Sequence, residues 1–457
     1  MVVIGIDIGT TKICAAAVNT QNGKVEKILS ADNCFLKGHD NWEKEQNPKE
    51  IWEIVSGFYR ALTEEFPDTA GIGITGQMHG IVYVDRGGEA VSPLYTWQDK
   101  SAEREKDGGH TYLEEMEKIS GYAVPAGYGA ATFYYHTCRG MLPANAAGFC
   151  SIPDYIGMKL TGRSTALCHV SNAAGIGLYN IEKRCFDKAA AKRLGIDFSF
   201  FPEITEECIP VGKTGEGIPV CVGIGDNQAS FAGAVSETEH SIFVNVGTGS
   251  QISIATKRKD TSQRLLEIRP FIKETNLYVG SSLCGGRAFA LLEKFYHDVL
   301  RMAGVKSKNT LYDAMMCSLK AMPYYGEPVR VATQFSGTRV NPEERGTIYN
   351  ISEDNFTPES VTVGVLQGIV DELYLMYTQM KEENRHFYVV GAGNGIRRNP
   401  VLQEMIFHTF ELPVLIPVHK EEAAYGAALF ASVGIKEYPT LEDAQKIIKY
   451  IRYKEDV

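Results

Sequence analysis

Gly5-Ile6-Asp7-Ile8-Gly9-Thr10-Thr11-Lys12 decides the fold, because its pattern returns as Val244-Asn245-Val246-Gly247-Thr248-Gly249-Ser250. In the first copy an apolar run, Val2 to Ile8, reaches a polar tip, and a second apolar run resumes over Ile13 to Val18. In the second copy Ile242 to Val246 reaches the Gly/Thr turn, and Gln251 to Ala255 returns from it. Each reads as a hairpin with a polar tip. Asp7 of the first copy aligns with Asn245 of the second. The reading is an internal duplication, one hairpin per half, with the boundary in the polar stretch Ser236 to His240.

The bulk numbers agree with two halves. A chain of 457 residues is too long for one ordinary core, and 44% hydrophobic with 22% charged residues is the balance of a globular enzyme. A formal net charge of -10 and the lack of a Lys/Arg block argue against nucleic acid as a partner. Lys257-Arg258-Lys259 is short, is followed by Asp260, and reads as a solvated turn. Ten cysteines show no Cys-x-x-Cys pair and no zinc spacing, so reduced thiols are expected. No apolar run is long enough to span a bilayer, and the start Met1-Val2-Val3-Ile4-Gly5-Ile6-Asp7 has no basic leader. The expectation is a cytoplasmic protein without a membrane partner.

Outward from the tips, strands and helices alternate. Pro48 opens a helix with Asn47 as N-cap and Ile51, Val55, Phe58 and Leu62 on its apolar face. Gly71 to Thr75, Ile81 to Val84 and Val220 to Ile224 read as strands, and Ile152 to Leu160 as a helix. Asn227 to Val235 reads as a small-residue helix. Asp107 to Ala146 receives no assignment. Thr357-Pro358 caps a long helix, Phe387 to Val390 is a strand, Asn399-Pro400 starts a helix, and Val414 to Ile416 is a strand. Glu421 to Val433 is an alanine-rich helix.

The residues able to do chemistry cluster at turns. Short Gly/Thr tips present N–H groups and hydroxyls to an anion, and two matching tips suggest a phosphate chain held at Gly9, Thr10, Thr11 and Lys12 and at Gly247 and Thr248. Asp7 lies inside an apolar strand, where a carboxylate is costly unless paired; a Mg2+ held through water would pair it. Asp226 follows a strand through Gly225 at a helix start. An N-cap is the competing reading; a general base for a hydroxyl is the functional one. Gln77, Met78 and His79 follow a buried strand, and Trp97 with Asp99 adds an aromatic face and an acceptor. These suit a sugar; a satisfied core histidine is the alternative for His79. Gly391-Ala392-Gly393-Asn394-Gly395 lies between a strand and a helix, where a ring or ribose can lie against backbone. It is not a dinucleotide fingerprint, and Gly212-Lys213-Thr214 lacks the earlier glycine of a P-loop.

Taken together, these segments resemble the FGGY carbohydrate kinases of the actin–hexokinase–Hsp70 superfamily. Gly5 to Thr11 looks like the first phosphate motif, Val246-Gly247-Thr248-Gly249 like the second, and Gly223-Ile224-Gly225-Asp226-Asn227-Gln228 like the segment of the catalytic aspartate. Ser336-Gly337-Thr338-Arg339-Val340-Asn341-Pro342 with Arg345-Gly346 is similar to a signature of the second domain. Gly391 to Asn399 resembles the adenosine motif, and Glu422-Ala423-Ala424-Tyr425-Gly426-Ala427-Ala428 the late helix. The match spans nearly the whole chain in order. Gly76-Gln77-Met78-His79-Gly80 is similar to ketose kinases. Thr96-Trp97-Gln98-Asp99, Gly129-Ala130-Ala131-Thr132 and Asn172-Ala173-Ala174 look most like the sedoheptulose-specific branch, with the xylulose-specific branch second. Lys100-Ser101 and Thr338 depart from the family's usual Gly-Arg and Glu, and both departures bear on the sugar.

The resemblance implies an α/β fold of two duplicated actin-like, ribonuclease H-like domains with a cleft between them. Residues 1–239 would be sugar-binding and catalytic, and 240–457 would bind adenosine. It implies ATP and Mg2+, with Asp226 as general base, Asp7 and Asp226 holding the metal through water, and Gln77, Met78, His79, Trp97, Asp99 and Asn227 on the sugar. Gly9, Thr10, Thr11, Lys12, Gly247, Thr248, Gly391, Gly393, Asn394 and Asn399 would bind ATP. The partners are a small sugar and ATP, and a homodimer is among the oligomeric options. An actin-like ATP-binding chaperone or filament subunit shares the phosphate tips, and a sugar-binding regulator without catalysis is the third reading.

Overall fold

The computed structural model describes residues 1–453 except 39, 107, 260–264, 306–308, 321–328, 339–340 and 381–384. Asp107, Asp260, and Arg339-Val340 of the expected second-domain signature therefore lie outside the described residues. The chain forms two compact units. The first comprises Met1–Ser236, Arg269–Thr275 and His419–Ile448; the second comprises Glu237–Ile268, Asn276–Val418 and Lys449–Val457. The chain passes from one to the other after Ser236, and two later segments return to the first unit.

In the first unit Val2–Ile8 and Lys12–Asn19 form the expected hairpin, and Lys24–Asp32 extends it antiparallel. On its other side Val2–Ile8 pairs in parallel with Thr69–Gly76, which pairs in parallel with Pro219–Cys221. Pro210–Lys213 closes that edge antiparallel. Ile4, Ile6 and Ile8 are fully buried with Ile72, Ile74 and Val55. That alternation on a strand, met by the Ile51, Val55 and Leu62 stripe of the Pro48–Glu65 helix, makes the core.

The second unit repeats the plan. Ser241–Val246 and Ser250–Thr256 form the hairpin, and Asn276–Ser282 extends it antiparallel. Ser241–Val246 pairs in parallel with Tyr388–Ala392, which pairs in parallel with Val414–Pro417, and Tyr450–Arg452 closes the edge antiparallel. Three antiparallel strands followed by two parallel ones, in the same order twice, is the duplicated actin-like α/β architecture. The register repeats as well: Asp7 pairs with Cys14 and Thr75, and Asn245 pairs with Gln251 and Ala392.

Local signals set most boundaries. Asn47 and Thr357 cap their helices, each with proline in the first turn. Other boundaries differ from expectation. Val220 to Ile224 is not one strand: Pro219–Cys221 ends and Ile224–Gly225 begins anew. Between them, Asn172 Nδ2 takes the Gly223 carbonyl at 3.0 Å, so a side chain replaces a ladder bond. The following helix starts at Asp226 rather than Asn227. The unassigned stretch holds two helices, Tyr112–Ser120 with a Thr111/Glu114 capping box, and Gly129–Arg139.

The alanine-rich helix, Glu422–Gly434, belongs to the first unit and packs against the Asp226–Ala234 helix. The two backbones touch. A Cβ on Gly426 would stand 1.9 Å from the Ala229 carbonyl oxygen, and one on Gly233 2.0 Å from that of Glu422. Only glycine allows this approach, and it seats the helix that carries Asp226. Among the described residues no helix is long and apolar enough to cross a membrane. All ten cysteines are free.

Candidate active site

Val2–Ile8 and Ile224–Gly225 both flank Thr69–Gly76, with Asp7 and Ile224 each registered on Thr75. Asp7, near the carboxyl end of its strand, and Asp226, just past the end of Ile224–Gly225, therefore lie on either side of the Thr69–Gly76 strand at the end of the sheet where α/β proteins bind ligands. Both residues keep partial access to solvent. Asp7 Oδ1 is nonetheless buried without a hydrogen-bond partner, as is the neighbouring Thr75 hydroxyl. Burial, then the negative charges of Asp226 and Glu421, push the Asp7 carboxyl up to about 7 against the pull of Lys12. Burial also raises Asp226, opposed by the Arg269 guanidinium and by the Asn227 N–H. That N–H donates to Asp226 Oδ1 at 2.7 Å.

Two carboxylates that repel each other, one with a buried unpartnered oxygen, form a donor set that a hydrated hard cation would satisfy. Among the described residues no group of three His, Cys, Asp or Glu is built to hold a metal. Mg2+, which binds through one or two carboxylates, water and phosphate oxygens, is compatible with so small a set.

The tip beside Asp7 is exposed at Thr11 and Lys12. Lys12 Nζ meets both oxygens of Glu421 at 2.7 Å. The Trp97 indole N–H donates to Thr10 Oγ1 at 2.9 Å, so the exposed Trp97 ring is anchored on the Gly9–Thr11 tip itself. Gln77 is buried, with Nε2 on Gln46 Oε1 at 2.7 Å and Oε1 3.5 Å from the Thr10 hydroxyl. Met78 is buried. His79 takes φ 78°, rare for a residue with a side chain, and its Nδ1 lies 2.9 Å from the Gly175 carbonyl oxygen. Its ring stacks on Tyr128 with centroids 4.1 Å apart, and the Gly129 N–H donates to the His79 carbonyl at 2.8 Å. Asn227 is buried in the first turn of the Asp226–Ala234 helix.

Asp99 is placed differently from a free acceptor. It is buried, Oδ1 accepts from the Ser101 N–H at 2.9 Å and hydroxyl at 2.5 Å, and Oδ2 accepts from the Lys44 N–H at 3.2 Å. It holds the loop that carries Trp97.

In the second unit Gly247 and Thr248 stand exposed at their tip. Gly391 lies next to last in the Tyr388–Ala392 strand, and Gly393 to Arg397 form a short helix with Asn394 exposed. Gly393 has φ 81°, and a Cβ there would lie 2.4 Å from Asn245 Oδ1, so this glycine is required by the neighbouring strand end. Asn399 is buried and caps the Pro400–Phe410 helix by accepting from the Leu402 N–H at 3.0 Å.

The sequence reading did not single out Asn33, Gln46, Tyr128, Arg269 or Glu421. Glu45-Gln46 just before the Asn47 cap was the one available signal, a buried amide side chain in a strand too short to show periodicity.

Comparison with known proteins adds the following. A profile for the FGGY family of carbohydrate kinases, N-terminal domain, matches residues 2–233, and that family's C-terminal domain profile matches 243–435. The chain is 25% identical over 472 residues to a sedoheptulokinase of Mus musculus, covering 94% of this chain and 96% of that one. Among solved structures, a gluconate kinase from Lactobacillus acidophilus superposes with TM-score 0.85 at 17% identity, covering 99% and 93% of the two chains. A Plasmodium falciparum glycerol kinase with ADP gives TM-score 0.80 at 17% identity, covering 98% and 92%.

Proposed function

Because the chain belongs to the FGGY family of carbohydrate kinases and so is an ATP-dependent sugar kinase, we propose that its acceptor is the primary hydroxyl of a ketose, sedoheptulose, giving the 7-phosphate. The supporting observation for catalysis is the joint placement of Asp7 and Asp226 at the carboxyl ends of the two strands that flank Thr69–Gly76, beside a Gly/Thr tip. Asp226 is the general base. Its Oδ1 is held by the Asn227 N–H, which leaves Oδ2 to accept the proton of the sugar hydroxyl as the hydroxyl oxygen attacks the γ-phosphorus and ADP departs. Burial raises the basicity of the carboxylate, and the Arg269 guanidinium opposes that rise.

Asp7 and Asp226 would hold Mg2+ through water. When bound, the metal neutralises charge on the transferring phosphoryl oxygens. Gly9 to Lys12, and in the second unit the exposed Gly247-Thr248 tip, face the phosphates, with the N–H groups of the first tip and the threonine hydroxyls as donors; the Gly247 N–H itself is spent on the Gly249 carbonyl. Gly391, Gly393 and Asn394, with Asn399 fixing the next helix, take the adenosine. The Trp97 ring and the stacked His79–Tyr128 pair offer apolar faces to sugar carbons, with Gln77, Met78 and Asn227 beside them. Asp99 contributes by shaping the Trp97 loop.

The choice of sugar rests on Gln77-Met78-His79 and Thr96-Trp97-Gln98-Asp99, and D-xylulose is the alternative acceptor that these motifs favour next. ADP release with Mg-ATP, measured against sedoheptulose, D-xylulose, D-ribulose, L-ribulose and glycerol, decides. Highest kcat/KM on sedoheptulose is expected. Preference for D-xylulose would overturn the acceptor and leave the chemistry, and silence across the panel would overturn the ketose assignment.

A further inference from the structure

We infer that Gln46 is a positioning residue for phosphoryl transfer: it helps lock the Gly9–Thr11 tip with its amides facing outward, and it ties that tip to Gln77. The inference rests on the reading of this tip as a phosphate site.

Each carbonyl of the tip is held from the protein side. Asn33 Nδ2 donates to the Gly9 carbonyl at 2.9 Å, Gln46 Nε2 to the Thr10 carbonyl at 2.7 Å, and the Asn33 N–H to the Thr11 carbonyl at 3.0 Å. In a trans peptide the N–H of the next residue points opposite to the carbonyl. Fixing these three oxygens inward turns the N–H groups of Thr10, Thr11 and Lys12 the other way, which is the arrangement that binds an anion.

Gln46 is fully buried, and its carbonyl is engaged as well: Oε1 accepts from Gln77 Nε2 at 2.7 Å and from Asn33 Nδ2 at 3.3 Å. Gln77 Oε1 in turn lies 3.5 Å from the Thr10 hydroxyl, which also accepts the Trp97 N–H. Thr10 is thus gripped at its main chain by Gln46 and at its side chain by the residues assigned to the sugar. A buried amide that lost these partners would leave donors and acceptors stranded.

The second unit reaches the same end by other means. Its tip carbonyls at Gly247 and Thr248 accept the Gly286 and Arg287 N–H groups at 2.9 Å each, and Gly249 accepts from Gly247 at 3.0 Å. Main chain does there what Asn33 and Gln46 do in the first unit. In both tips the first two carbonyls are held by donors from outside the tip, with unrelated supports, which argues that fixing those carbonyls is what matters. These supports also make the first tip the one that side-chain substitution can disturb.

The test compares the parent enzyme with Gln46→Met, which fills the space without hydrogen bonds, and Gln46→Glu, which keeps an acceptor for Gln77 and Asn33 but sets an oxygen against the Thr10 carbonyl. Both should raise KM for Mg-ATP by about tenfold or more. Only Gln46→Met should also raise KM for the sugar, while Gln46→Glu leaves it within about twofold. A merely structural residue would lower the melting temperature and leave both KM values unchanged, and that result overturns the inference. If Gln46→Met does not fold, Gln46→Glu alone decides. A parent enzyme silent on every sugar would count against the ketose assignment instead. Mg-ADP titration by calorimetry then replaces KM: weakening by about tenfold supports the positioning role, and unchanged affinity overturns it.

Discussion

Lys12 Nζ and the Glu421 carboxylate meet at 2.7 Å through both oxygens, although 409 positions separate them in the chain. Glu421 stands just ahead of the Glu422–Gly434 helix with φ 61° and ψ 58°, a left-handed conformation that a glutamate adopts at a cost of about 1–3 kcal/mol. Its side chain does not cap the helix and reaches Lys12 instead. Removing that charge takes a negative group away from the Gly9–Lys12 tip, the proposed phosphate site. Glu421→Gln should therefore tighten Mg-ADP binding, read by calorimetry. The pair is solvent-accessible, so stability should stay within about 1 kcal/mol of the parent in chemical denaturation. Weaker ADP binding would mean that Glu421 serves to pre-position Lys12.

Asp226→Asn keeps shape and the contact to the Asn227 N–H but cannot accept a proton. Turnover should fall by about 10²–10⁴-fold. Mg-ADP affinity should change far less, because in the proposed function the tips, not Asp226, hold the phosphates. Retention of near-parental kcat in a single-turnover assay would remove Asp226 from the role of base.

Stability should depend on pH through Asp154, which lies away from the tips. Its Oδ2 accepts from the Ser151 hydroxyl at 2.6 Å, Oδ1 is buried, and burial pushes the carboxyl from 3.8 up to about 7. Between these two values the folded protein holds a proton that the unfolded chain has released. Stability contributed by the protonated group is thus lost as pH rises through that window and is gone above about 7. Asp7 acts with the same sign. The parent should lose more melting temperature between pH 5 and pH 8 than Asp154→Asn does. Equal losses would show that Asp154 ionises normally.

Gly426→Ala should be strongly destabilising. The added methyl would stand 1.9 Å from the Ala229 carbonyl oxygen and must part the two helices. Overpacking typically costs about 1–3 kcal/mol, and a backbone clash belongs at the upper end or beyond. Thermal unfolding reads this directly, and an unchanged melting temperature would contradict the helix contact.

Much of the site was legible because its signals are local. The Gly9-Thr10-Thr11 and Gly247-Thr248-Gly249 tips announce hairpins through residues adjacent in the chain, and Asp7 is conspicuous as a charge inside an apolar strand. Asn399 was legible as a helix start, and the structure shows its capping bond to Leu402. Asp99 was read as an acceptor for sugar, yet its oxygens face Ser101 and Lys44, the second of them 55 positions away. The break at Val222-Gly223 was invisible, because Asn172 supplies it from 51 positions upstream.

By itself, the sequence determined the duplication, the hairpins and the helix caps, and it marked Asp7 and Asp226 as candidates, since periodicity, turn chemistry and capping act over a few residues. Tertiary structure alone decided what surrounds those groups: Glu421 on Lys12, Arg269 beside Asp226, and Asn33 and Gln46 behind the Gly9–Thr11 tip. Charges and buried amides act through space, over distances that bear no relation to separation along the chain. A carboxylate's basicity and a tip's orientation are therefore set only when the distant segments have folded back.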